Sequence, residues 1–414
     1  MTQKFHPATT ANRDSNISEK TLNCLVYVPN IYNGGGTTQT LVWITEQFKN
    51  VGIVPVICFE RTWQFPSNVS SMNLFPSFLQ RLPGSWTRLI PKRVMERAFL
   101  KRLSRYTISD TFVYIWPQPR LALVGAIKAR GFCVFREMIN CPAQVCADEV
   151  RKARRHSGFA DREHLTDRVI AEELKHLRLS DFVTAPNAEV ERALVEIGTP
   201  DRKILPTSFG WARDRFPGVS QTAAPPAAGD GVRDRPMKVL FVGHIGPRKG
   251  AHYLLEAWND MPSAIQLQLV GTVDPEMKPL LDHALRDERI EHIPYTAELE
   301  QIYRSADVFA FPTVEEGGPQ VTFEAAGCGL PVITTLMGSA RLIVSGRNGL
   351  IIPPHDVAAL RSAILDLFER PEKREGLARQ AELDAAAFTY EKVGVARAML
   401  FRHKFYEYSK ASPV

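Results

Sequence analysis

The chain has 414 residues, with 51 Lys or Arg against 45 Asp or Glu and a net charge of +6. That length is too great for one core and implies two domains. The mild positive excess implies an anionic partner without naming one. No apolar run reaches the length of a membrane span, and six scattered cysteines with no CxxC pair or Cys/His ligand spacing give neither a disulfide framework nor a zinc site.

Residues 1–20 are polar and lack an apolar core, so they read as a disordered leader rather than a signal peptide. Asn23–Pro29 (NCLVYVP) is a buried strand. A loop with three glycines, Gly34, Gly35 and Gly36, follows it, and then a helix over Leu41–Phe48. Strand, glycine loop and helix at the start of a chain suit a mononucleotide-type fold, and a plain tight turn fits the glycines as well. Val54–Phe59, Phe112–Trp116 and Phe132–Phe135 are further strands.

Between Arg81 and Arg105 eight Lys or Arg stand against one acid, Glu96. Met95, Phe99 and Leu103 step by four. Arg93, Arg97, Lys101 and Arg105 also step by four, offset by two, so the two sets occupy opposite helix faces. The segment is either a surface helix packed on its own domain or a helix drawn to anionic lipid. Nucleic acid is set aside, because no recognition motif accompanies the charge. Phe135–Pro142 (FREMINCP) follows a strand and should edge a cleft, with Glu137 and Asn140 as its candidate functional residues. The plainer reading of Glu137 is a strand-end carboxylate. Residues 151–176 form a charged helical stretch, and Ser180–Pro186 is a strand. The Pro-, Gly- and Ala-rich residues 217–236 form a linker.

The second half starts with a strand at Met237–Val242, then GHIGPRKG at 243–250 and a helix over Ala251–Trp258. Glycines flanking Arg248 and Lys249 at a strand-to-helix turn suit a diphosphate, because backbone N–H groups approach closely and two cations neutralise charge. Ile265–Val270 and Ile290–Tyr295 are strands. From Ala306 the chain reads strand (Val308–Phe311), acidic glycine turn (Glu315–Gly318), helix and strand (Leu330–Thr335). Such a βαβ unit aims a helix N-terminus at a crevice, and Pro319 fits that helix start. Glu324 lies within the apolar helix and needs a partner there. Asp356 should cap a helix to Phe368, and Tyr390–Tyr408 is amphipathic.

The Glu316-x7-Glu324 spacing, followed by Glu-Ala-x-x-x-Gly-x-Pro-Val-Ile from Glu324 to Ile333, resembles the donor-site signature of the retaining glycosyltransferase family 4, the glycosyl transferases group 1. The likeness is specific over 237–370 and weaker before. It implies an α/β protein of GT-B architecture, two Rossmann-like domains facing across a cleft. The expected division is 21–216 for the acceptor-side domain, 237–390 for the nucleotide-sugar domain, and 391–414 for a helix crossing back. By the resemblance, Glu324 binds the nucleotide ribose, Glu316 contacts the donor sugar, and Gly317, Gly318, Gln320 and Val321 cover sugar and diphosphate. Gly243, Arg248 and Lys249 hold the diphosphate, and Gly35 and Gly36 face donor phosphates and acceptor. Arg248, Lys249 and Glu316 would carry the chemistry.

Several positions depart from the family pattern. Pro319 replaces a common glycine, and Glu137 and Asn140 stand where many members carry a histidine. His244 replaces a frequent arginine. Ala212 and Arg341 stand where acids are usual. The implied activity is transfer of a hexose-type sugar from a UDP- or GDP-sugar to a glycan, lipid-linked or small-molecule acceptor in polysaccharide or glycolipid biosynthesis. It needs no obligatory metal or cofactor. The implied location is the cytoplasm, with the basic 81–106 segment leaving a peripheral position on the inner membrane face open. A nucleotide-sugar epimerase of the same architecture, or a non-catalytic nucleotide-sugar-binding protein, remain alternative readings.

Overall fold

A computed structural model describes residues 20–411 except 33, 63, 76–90, 118, 161–165, 219–234 and 297. The expected leader therefore lies outside the described residues, as do most of the expected linker and the start of the basic segment.

Two parallel sheets carry the fold. The first has seven strands: β1 Leu22–Tyr32, β2 Ile53–Thr62, β3 Ser70–Asn73, β4 Thr111–Ile115, β5 Cys133–Arg136, β6 Phe182–Ala185 and β7 Ile204–Pro206, in the order β3-β2-β1-β4-β5-β6-β7. The second has six: β8 Met237–Val242, β9 Ile265–Val270, β10 Ile290–Ile293, β11 Val308–Phe311, β12 Val332–Thr334 and β13 Gly349–Ile351, in the order β10-β9-β8-β11-β12-β13. Central strands read as continuous apolar runs because helices cover both faces of a parallel sheet. β1 pairs in parallel with β2 and β4, and β8 with β9 and β11. Each sheet thus reverses its strand order once, between β1 and β4 and between β8 and β11. Open α/β sheets bind ligands at such reversal points. This is the GT-B architecture.

Most elements fall where the sequence places them, with informative exceptions. The first helix runs over Gly36–Glu46 rather than starting at Leu41. Gly35 caps it, and the Thr38 and Thr40 hydroxyls bond back to the Gly35 and Gly36 carbonyls. β3 (SSMN) carries too little apolar pattern to be read, and β13 (GLI) is too short. The charged stretch divides into helices at Ala143–His156 and Asp167–Leu179. The basic helix spans Lys92–Leu103. Met95, Phe99 and Leu103 are buried, and Arg93, Arg97, Lys101 and Arg105 are exposed. Asp356 accepts from the Ala359 N–H and caps Val357–Glu369. Among the described residues no helix is long and apolar enough to cross a membrane.

The final helix, Tyr390–Ala411, leaves the second sheet's part of the chain and packs on the Gly36–Glu46 helix. Phe401 enters an aromatic cluster, 4.4 Å from the Phe135 ring centroid and edge-on to Tyr114 at 5.1 Å. Burying such a side chain contributes about 1.5–3 kcal/mol. One turn earlier Arg397 is fully enclosed. It donates to Glu137 Oε2 at 2.8 Å, to Tyr114 at 2.9 Å and to the Ser208 carbonyl at 2.7 Å. Where the connection leaves the first sheet, Trp211 donates its N–H to the Phe388 carbonyl, and the Tyr390 N–H returns a bond to Trp211. The Ala143–His156 helix faces the second half through an ion pair of Arg154 with Glu276 and through contacts of His156 with Glu256 and of Glu149 with His355.

Candidate active site at the strand-order reversals

Both halves of the Arg248 and Glu316 constellation leave the second sheet at its reversal point. After β8 the chain makes a short turn of helix at Pro247–Lys249 and passes through Gly250, with φ +73°, into the helix Ala251–Ala257. Only glycine fits there: a Cβ would lie 2.0 Å from the Pro312 carbonyl oxygen. After β11, Pro312–Pro319 form the acidic turn, and Pro319 caps the helix Gln320–Gly327. The Val314 N–H and the Thr313 hydroxyl both donate to the Arg248 carbonyl, at 3.1 Å each, so the two loops are stapled together.

The charged groups pair within this crevice. Arg248 donates to Glu315 Oε2 at 3.0 Å, and Lys249 pairs with Glu316. The sequence reading has Arg248 and Lys249 as cations for a diphosphate, and here each already faces a carboxylate. Burial, and then the neighbouring Arg248, push the Lys249 ammonium well below its ordinary pKa. Glu315 also accepts from the Cys141 N–H at 3.2 Å, which ties the acidic turn to the first domain. The sequence offers no signal that Glu315 rather than Glu316 meets Arg248, because adjacent acids on one turn look alike.

Glu324 has the partners that its burial demands. Tyr303 donates to one carboxylate oxygen at 3.1 Å, and Arg215 approaches the other at 3.4 Å. Burial still raises its pKa, against the opposing effects of Arg215 and Tyr303. Neither partner was legible as such. Arg215 lies 109 residues away on the connection between the sheets.

The turn at Gly317 is pressed against the first domain. A Cβ at Gly317 would lie 1.7 Å from the Ile139 carbonyl oxygen. Asn187 donates to the Gly317 carbonyl at 2.5 Å, and Gln320 donates to Thr40. Asn187 was not anticipated, although an Asn before an apolar-periodic run is a helix-cap signal, and it does cap Ala188–Glu196. Arg341, which stands where the family favours an acid, bridges the halves. It donates to the Thr207 and Ala185 carbonyls and pairs with Glu191. His244 meets Thr272 at 3.0 Å at the rim.

On the first domain, Gly35 and Gly36 stand at the start of the helix after β1, beside that sheet's own reversal point. A cavity of about 310 Å³ opens there, lined in part by Thr37, Lys92, Pro117, Arg136, Asn140 and Glu173. Glu137 also lines it, but its side chain is fully buried and committed to Arg397 and Tyr114. The strand-end reading of Glu137 is the one this geometry supports, because a carboxylate so enclosed holds the last helix in place.

Residues 236–370 match the family described as Glycosyl transferases group 1. Over that stretch the chain resembles this family. A D-inositol 3-phosphate glycosyltransferase from Arthrobacter is 32% identical over 194 residues, covering 42% of this chain and 46% of that protein. The chain thus spans about half the length of the curated relatives it matches. Among solved structures, sucrose-phosphate synthase from Thermosynechococcus elongatus superposes with a TM-score of 0.67 at 18% identity, over 93% of this chain and all of that one. HepE of Anabaena, solved with UDP-glucose, superposes with a TM-score of 0.63 at 14% identity, over 94% of this chain and all of that one. At these identities the likeness is one of fold, and it runs through both sheets of the chain.

Proposed function

We propose that the protein is a retaining glycosyltransferase that moves a hexose-type sugar from a UDP- or GDP-sugar to an acceptor alcohol. The observation that carries this is the stapled pair of loops at the reversal of the second sheet, with Arg248 and Lys249 on one and Glu315 to Pro319 on the other. A helix N-terminus and two cations in one crevice suit a diphosphate. The diphosphate takes Arg248 over from Glu315 and draws on Lys249, while Glu316 turns to the sugar hydroxyls. Glu324 accepts from the ribose with the lone pairs that Tyr303 and Arg215 leave. The bond from the sugar C1 to the diphosphate oxygen breaks with its electron pair on the oxygen. The acceptor oxygen then bonds C1 from the same face, and its proton passes to the leaving phosphate. Charge stabilisation and positioning do the work, and no metal is needed, because the two cations meet the developing charge. HepE, solved with UDP-glucose, supports a nucleotide-sugar donor.

The exposed cations of the Lys92–Leu103 helix support a peripheral position on an anionic membrane face and an acceptor drawn from glycans or lipid-linked sugars. The test is a thermal-shift screen of UDP-, GDP- and ADP-sugars, where a ligand at a hundred times its Kd adds about 2.7 kcal/mol. Acceptor-dependent nucleotide release with the anomer retained, unaffected by EDTA, is the expected result. Release without any acceptor but with an inverted sugar centre would favour the epimerase. Binding with no turnover across an acceptor panel would leave a binding protein.

A further inference from the structure

The cavity on the first domain is built for a charged ligand. It lies where β1 and β4 part, the same kind of position that the donor crevice occupies in the second sheet. It also adjoins that crevice. Ile139 and Asn140, both in its lining, are the residues against which Gly317 is pressed. A ligand in it would therefore lie next to a sugar held by the acidic turn. Its volume of about 310 Å³ is at the small end of ligand sites, which run roughly 300–1,000 Å³.

Two of its walls are cationic. Arg136 ends β5 and is 4% exposed, yet among the described residues its guanidinium makes no hydrogen bond. Its ion-pair partner Glu173 stands 3.6 Å from Nη2, and Nε is enclosed without an acceptor. One Glu173 oxygen is already taken by the Ala143 N–H at 2.6 Å. A buried guanidinium left so loosely paired is costly, and an anion would satisfy it. Burial lowers the Arg136 pKa, and Glu173 opposes it. His176, beside Arg136, is pushed down to about 4 by burial and by that charge, so it is neutral. Lys92, exposed at the start of the basic helix, supplies the second cation, and Glu60 is within its electrostatic reach. Glu137 Oε2 is met by Arg397, while its Oε1 is enclosed without a hydrogen-bond partner. In the lining itself two cations (Lys92, Arg136) stand with two carboxylates (Glu137, Glu173), so the case for an anion rests on the loose pairing of Arg136.

We propose that this cavity binds the acceptor through a phosphate monoester, held by Arg136 and Lys92, with Asn140 and Thr37 left for the acceptor's hydroxyls. The word acceptor rests on the glycosyl-transfer reading, but the phosphate site does not. Calorimetry of the full chain at low salt, without nucleotide, tests it with glucose 6-phosphate, glucuronate and glucose. Glucose 6-phosphate should bind better than either of the others. Lys92→Gln should weaken it about tenfold or more, the loss of a charged contact. Arg136→Gln should abolish it, and Arg136→Lys should restore it in part. Arg248→Ala should leave it intact while losing UDP and GDP. Vesicles of phosphatidic acid distinguish a lipid-borne phosphate from a free one, since glucose 6-phosphate should release bound protein if both use the cavity.

Phosphate binding that vanishes with Arg248→Ala and survives Lys92→Gln would put the phosphate in the donor crevice and overturn the proposal. So would equal affinity for glucose and glucose 6-phosphate. Because Lys92 is exposed, its variant decides even if Arg136→Gln does not fold. Nucleotide binding without phosphate binding sinks this proposal and leaves the glycosyl-transfer reading standing. Phosphate binding without nucleotide binding does the reverse.

Discussion

The two crevices occupy equivalent positions, each at the point where a parallel sheet reverses its strand order, yet they are finished differently. At the second sheet the charges are matched within the protein: Arg248 with Glu315, Lys249 with Glu316, and Glu324 with Tyr303 and Arg215. At the first sheet Glu137 is matched and locked by Arg397, whereas Arg136 is left loosely paired beside a cavity. A crevice whose own carboxylates already hold its cations is pre-shaped for one ligand geometry, and that ligand must displace them. A crevice with a loosely paired cation is open to whatever anion fits. The crevice of the second sheet reads as generic, and that of the first as particular to this protein.

The largest effect should come from breaking the locked pair. Arg397→Met leaves Glu137 buried and unpaired, which costs about 3–5 kcal/mol. Denaturant unfolding should register this. Pairing it with Glu137→Gln should recover a good part of the loss, and no recovery would mean that the Ser208 and Tyr114 contacts carry the stability instead.

Glu316→Gln comes next. It should bind UDP or GDP almost as well as the parent yet lose about 2.7–4 kcal/mol of transition-state stabilisation, the size of one preorganised electrostatic contact. Nucleotide calorimetry and single-turnover transfer measure the two quantities. If nucleotide affinity falls instead, Glu315 is the residue that meets the sugar and the comparison must be redrawn.

Glu324→Gln should weaken free nucleotide binding by about 1.5–3 kcal/mol, the worth of hydrogen bonds to a charged group. The structure supplies a clear competing outcome. A lower Tm with unchanged nucleotide affinity would make Glu324 the tie between Arg215 and Tyr303 and nothing more.

The smallest effect per residue belongs to the exposed basic face. Changing Arg93, Arg97, Lys101 and Arg105 to Gln should cost about 1 kcal/mol each in affinity for anionic vesicles. Co-sedimentation at low salt reads it, and a parent protein that ignores such vesicles removes the membrane from the account.

Much of the donor side was legible because it is local. A strand, a glycine turn and a helix within thirty-odd residues announce themselves through period and punctuation, and the basic helix obeyed its four-residue step. What escaped was non-local or short. Arg397 looks like one charge among many on an amphipathic run, and its partner Glu137 is 260 residues distant. Arg341 was visible only as a departure. Its reason, two carbonyls and Glu191 on the other half, exists only once the halves meet. Three polar residues and Met72 make β3, a strand too short and too polar to show an apolar pattern in the sequence.

The crossing at Gly210 has a consequence for how the chain can be divided. A Cβ there would lie 2.2 Å from the Phe388 carbonyl oxygen, and Trp211 and Thr389 form a bridge. The last helix belongs by sequence to the second half and by packing to the first. A genetic split anywhere in residues 219–234 would therefore yield complementing fragments. Each would expose the apolar seat of the other until they met, and neither piece would be a self-sufficient domain.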